Sequence, residues 1–128
     1  MIPADLNILA AWLGILAGVL LGVAQGLFFH DENWLGGYAS WRRRLMRLGH
    51  VSFFGIAGLN LAFTWTVKNP LWKPDSAVPA AALALAQALM PAVCYLAAWH
   101  KPMRRLFFLP VTCVLVGAGG IVVERLVP

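Results

Sequence analysis

Of 128 residues, 61% are hydrophobic and 12% charged, about half the charged fraction of a soluble domain. The mean hydropathy is +0.76, which excludes an ordinary soluble globule and points to an integral membrane protein. A net charge of +5 would favour nucleic acid in a soluble chain, but here the basic residues lie mostly in short loops. Membrane topology accounts for them, and no nucleic-acid partner is expected.

Four uncharged apolar runs follow in chain order: Leu6 to Phe29, His50 to Val67, Val78 to Trp99 and Leu106 to Val123. A hydrocarbon core about 30 Å thick is crossed by roughly 20 helical residues. Lipid offers nothing to an unpaired backbone group, so these runs are expected as helices. With their flanking turns they span about 6–29, 41–67, 78–99 and 104–124. The expected fold is a single all-α membrane domain of 1–128, four transmembrane helices in an antiparallel up-down bundle.

The stretch ahead of the first run, Met1 to Asn7, has Asp5 and no Lys or Arg. A signal peptide starts basic, so the first run is expected to be retained. It carries Gly14, Gly18, Gly22 and Gly26, a small residue every fourth position, which lets a neighbouring helix approach closely. Steps of four overshoot a 3.6-residue turn by about 40° each. The ladder therefore winds, and suits a crossing helix or a different neighbour at each end.

Next comes "FFHDENWLGGYASWRRRLMRLGH", residues 28–50, the most polar stretch of the chain. Gly36 and Gly37 suit a turn, and Ser40 is positioned to cap the second helix. The third helix follows the proline-rich "KNPLWKPDSAVP" and bears a weaker small-residue series, Ala80, Ala84 and Ala88. Pro91 and Pro110 fall inside the third and fourth expected helices, where each removes a donor and favours a kink. His50, Ala57 and Thr64 on the second helix, and Cys113, Gly117, Gly120 and Glu124 on the fourth, form stripes expected to face inward. The basic openings of the second and fourth helices resemble each other ("RRLMRLGHVSFFG", "MRRLFFLPVTCVLVG"), a faint echo of a duplicated hairpin.

Orientation follows from loop charge. Arg42, Arg43, Arg44, Arg47, Lys101, Arg104 and Arg105 lie on one side, against Lys68, Lys73 and Arg125 on the other. The first side is expected to be cytoplasmic, with both termini outside, in a bacterial-type inner membrane. Trp34, Trp41 and Trp99 then belong to the inner interface, and Trp65 and Trp72 to the outer one.

Polar residues within the spans are few. Gln25, Asn60, Thr64 and Gln87 are neutral and suit hydrogen bonding between helices. No acid lies mid-membrane, which counts against a transporter coupled through a midplane carboxylate. His30, His50 and His100 each fall at the cytoplasmic end of an expected helix, at one depth. Histidines so placed suit the ordinary interfacial role, complementing helix-end carbonyls; the alternative is axial ligation of a b-type haem, with Arg43, Arg47, Arg104 or Arg105 on its propionates. Zn²⁺ is disfavoured, because the trio lacks the spacing of a dedicated metal motif. No phosphate loop, Ser–His–Asp set, HExxH or CxxC occurs, and no catalytic residue is singled out.

Two readings follow. The first is a small accessory or anchor subunit of a larger inner-membrane assembly, without a sizeable soluble part, a respiratory complex being one such host and haem b or a quinone pocket at the inner face an optional addition. Its partners are the lipid bilayer and other membrane subunits, or further copies of itself. The alternative is a small oligomeric transporter or channel. An enzyme acting on lipid head groups at the basic face has no motif to support it.

Overall fold

The computed structural model of the chain describes residues 3–69 and 77–127. They form four long α-helices and two short 3-10 segments, with no strand among the described residues. The helices are α1 Pro3–Gly26, α2 Trp41–Lys68, α3 Ala77–Trp99 and α4 Phe108–Leu126. Together with the 3-10 turns that lead into α4, they supply four helices long and apolar enough to cross a membrane. The expected stiff turn at Pro70 and Pro74, with Trp72 and Lys73, lies outside the described residues.

Helix α1 starts ahead of the expected Leu6 and stops before the expected Phe29. Proline is pre-organised for a first helical position, and Asp5 in the first turn complements the helix dipole. After Gly26 the backbone tightens: Phe28 N–H bonds Gln25 O at 3.1 Å and Phe29 N–H bonds Gly26 O at 3.2 Å. Such i→i+3 bonds use the carbonyls that a helix end leaves over.

Ser40 begins α2 as expected, its Oγ accepting the Arg43 N–H at 3.2 Å. The turn before it holds Gly36 and Gly37 at φ of 87° and 89°, a region open to glycine. Leu35 shares the left-handed region at φ 57°, and its carbonyl accepts from Ser40 Oγ at 2.8 Å.

Helix α4 departs from the expected straight 104–124. Residues Lys101–Phe107 are 3-10, and the α-helix starts only at Phe108. The reason is Pro110, whose ring would meet the Leu106 carbonyl in a continuous α-helix. A 3-10 approach puts the change of winding just before it. Pro110 therefore sits in the first turn of α4 rather than kinking its middle. Pro91, by contrast, lies inside an unbroken α3 and is fully buried; it leaves the Gln87 carbonyl without a helical donor.

Helices α1, α2 and α3 touch one another in all three pairings, whereas α4 rests on α3. One apolar cluster gathers Phe63, Ala80 and Leu83, with Val67 and Ile121 against it. A second gathers Leu45, Ala97 and Ala98, with Trp41, Met46 and Phe107. The 40° drift of four-residue steps is visible in both small-residue series. Gly14 and Gly18 are buried, Gly22 half-buried and Gly26 exposed; Ala80 is buried, Ala84 half-buried and Ala88 exposed.

Candidate functional site

Buried polar groups form a seam through α1, α2 and α3. Asn7, fully enclosed, donates through Nδ2 to Asn60 Oδ1 at 2.6 Å and to Ala80 O at 3.1 Å. Asn60 Nδ2 in turn donates to Ile56 O at 3.0 Å and Leu83 O at 3.2 Å, and lies 3.5 Å from Gln87 Oε1. Thr64 Oγ1 reaches Asn60 O at 3.0 Å and Ala4 O at 3.3 Å. Gln87 Nε2 donates to Phe53 O at 3.0 Å. Each amide thus links two or three helices, and in lipid such bonds contribute about 0.6 kcal/mol each on average. Among the described residues, Asn7 Oδ1 alone of these amide atoms is buried with no partner.

Nearer the other end of α1, Gln25 Nε2 donates to the Tyr95 hydroxyl at 2.7 Å. Neither Asn7 nor Tyr95 stands out in the sequence as part of this pattern. Asn7 falls at the edge of the first apolar run, where it passes for a lead-in residue. A signal was there: Ala4, Asn7, Ala11, Gly14 and Gly18 recur at steps of three and four, and all are buried.

Three of the four glycines on α1 meet side chains. A methyl group on Gly14 would run into the Gln87 amide, and one on Gly22 would lie 2.6 Å from His50 Cε1. Gly18 would meet Phe53 and Phe54 at 2.8–3.0 Å. Gly14 thus takes α3 as its neighbour, and Gly18 and Gly22 take α2. A methyl group on Gly26 would meet nothing within 4 Å among the described residues. The absent side chain at Gly14 is what lets Gln87 lie across α1 and bond the Phe53 carbonyl.

Where α1 ends, Arg43 is 6% exposed and closes the hairpin. Its NH1 donates to Glu32 O at 3.3 Å and Asp31 O at 3.4 Å, its NH2 to Phe29 O at 3.5 Å. Its guanidinium also lies within 5.7 Å of the Phe29, Trp34 and Tyr38 ring centres. No carboxylate among the described residues pairs with it. The charge is held by carbonyls left over at the helix end and by ring faces. Arg47 stacks on Tyr38 at 4.0 Å and donates to its carbonyl at 3.3 Å. Of the four arginines offered as propionate partners, Arg43 and Arg47 are thus engaged within the chain, while Arg104 and Arg105 are exposed.

The histidines do not share one level along the helices. His30 and His100 are exposed beyond the ends of α1 and α3. His50 is half-buried on α2, opposite Gly22, with its ring edge-on to Phe54 at 5.3 Å and Nδ1 buried without a partner among the described residues. Its neighbour Gly49 packs on Cys94 and Tyr95, about 8 Å of helix rise short of His100. The basic stretch before His50 is helical from Trp41, and that carries His50 inward. Among the described residues no three His, Cys, Asp or Glu side chains are grouped as a metal site.

No family model, no curated protein and no solved structure matches the chain. The class rests on the fold itself: an all-helical chain with four helices fit to cross a membrane.

Proposed function

We propose that the chain is a small accessory or anchor subunit of a larger membrane assembly. It would be inserted as an antiparallel up-down bundle with both termini on the outer face of a bacterial-type inner membrane. The observation that supports this reading is the division of labour among the helices. The amide N–H groups of α1, α2 and α3 are spent on one another, on carbonyls and on the Tyr95 hydroxyl, so they tie the three helices together. Helix α4 stands apart, with only Pro110 and Gly117 of its 19 residues buried. A helix that adds so little to its own chain's core keeps its apolar surface for lipid and for neighbours. Haem b stays an optional part of the proposal, with His50 the half-buried candidate ligand and His30 and His100 at the exposed end.

Purification from native membranes in mild detergent tests both parts. The expected product holds this chain with a distinct, larger membrane protein, and a Soret band would assign the haem. A preparation that contains only copies of this chain and conducts ions in liposomes would favour the channel alternative instead.

A further inference from the structure

The α1–α2 connection and the end of α3 line an open cleft of about 540 Å³, whose walls include Ser40, Trp41, Arg42, Ala98, Trp99 and Lys101. That volume is in the range of small-ligand sites. Its two cations come from segments far apart in sequence, and no carboxylate among the described residues lines it. The Arg42 guanidinium lies over the Trp99 ring at 5.2 Å. Stacking of this kind fixes the plane of the fork and leaves its N–H edges for a phosphate.

Trp41, also in the lining, is fixed as well, because its indole N–H donates to Ala97 O at 2.8 Å. Helix α2 begins at the same place. The hydroxyl of Ser40 is spent on the Arg43 N–H, and no acid stands in the first turn. The positive end of the α2 dipole therefore meets no acidic side chain of its own there. Two tryptophans beside two cations at the ends of long apolar helices mark the head-group level of a bilayer.

We infer that this cleft binds the phosphate and glycerol of one anionic glycerophospholipid drawn from the surrounding bilayer. The inference rests on the chain being embedded in a membrane, and is independent of the accessory role. Arg42 and Lys101 supply the charge, and Trp99 and Trp41 hold the head group between ring walls.

The test is native mass spectrometry of the full chain in detergent, titrated with phosphatidylglycerol and with phosphatidylcholine. One phosphatidylglycerol is expected to remain bound and phosphatidylcholine to be lost. The Arg42→Gln/Lys101→Gln pair is expected to weaken binding about 25-fold, at about fivefold for each direct hydrogen bond to the phosphate that is lost. Arg44→Gln/Arg105→Gln removes equal charge outside the cleft and is expected to leave binding within about twofold. Trp99→Leu removes the stack but no charge, and is expected to weaken binding severalfold. Equal losses from the two arginine-containing pairs, equal retention of both lipids, or an unaffected Trp99→Leu protein would overturn the site. Displacement by millimolar inorganic phosphate would overturn the assignment to lipid.

Discussion

Asn7 Nδ2 and Asn60 Oδ1 stand 2.6 Å apart, and this one bond joins the first turns of α1 to the second half of α2. Because Asn60 also donates to Leu83 O on α3, the pair is the junction of three helices. Asn60→Leu leaves the Asn7 amide with Ala80 O alone and one of its donors unpaired in an apolar interior, and is expected to cost about 1–3 kcal/mol. The double variant Asn7→Leu/Asn60→Leu strands neither, and is expected to lose less than the sum of the single variants. Unfolding in mixed micelles by increasing sodium dodecyl sulfate reads all three. Strictly additive losses would show that the two amides do not act together.

The glycines of α1 are expected to separate sharply in the same assay. Gly14→Leu must displace the Gln87 amide and its bond to Phe53 O, an overpacking loss of about 1–3 kcal/mol. Gly22→Leu meets the His50 ring and should also destabilise. Gly26→Leu has open space around it and should leave the transition unchanged. A uniform response along the ladder would contradict the assignment of Gly14 to α3 and of Gly18 and Gly22 to α2.

The spans and the Ser40 cap are legible in the sequence because each depends on local chemistry: apolar length for the helices, a hydroxyl before a helical run for the cap. The seam is only half legible. Gln25, Asn60, Thr64 and Gln87 declare themselves as polar residues within apolar runs, but their partners are mostly backbone carbonyls of other helices, which no side-chain pattern reveals. Asn7 hides because an apolar run has no sharp edge. The depth of His50 is lost for a related reason. Loop charge fixes which end of a helix is basic, yet it does not say how many helical turns precede the hydrocarbon, so three histidines near basic residues look coplanar when one lies deeper.

Arg43 plugs the α1–α2 hairpin with its charge held by three carbonyls and three rings. Arg43→Ala leaves those carbonyls unpaired and opens a void, for an expected loss of about 2–3 kcal/mol. Lysine should not restore it, because an ammonium cannot reproduce a planar fork. Limited proteolysis offers a second readout: cleavage between residues 27 and 40 should speed up in Arg43→Ala and stay unchanged in Arg44→Ala, whose side chain is exposed.

Gln25 and Tyr95 form an isolated bridge between α1 and α3 at 2.7 Å. Tyr95→Phe removes only the hydroxyl and is expected to cost about 0.6 kcal/mol, and no more than about 1.7. Once Tyr95 is Phe, a further Gln25→Leu change should cost almost nothing. Hydrogen exchange of α1 and α3 amides near this level would show the loosening even where the unfolding midpoint barely moves.

The mass of the intact assembly bears hardest on the role of the chain. The protein is released from its native membrane in mild detergent, and the mass of the particle that contains it is measured before and after α4 is altered by Gly119→Leu. A Cβ added at Gly119 would meet no other side chain or helix within 4 Å among the described residues, so the change alters the outer surface of α4 and not the seam. The expected result is a stoichiometric complex with a distinct, larger membrane protein, weakened or lost in the variant. A chain that runs alone, or only as a ring of identical copies, would contradict the accessory role.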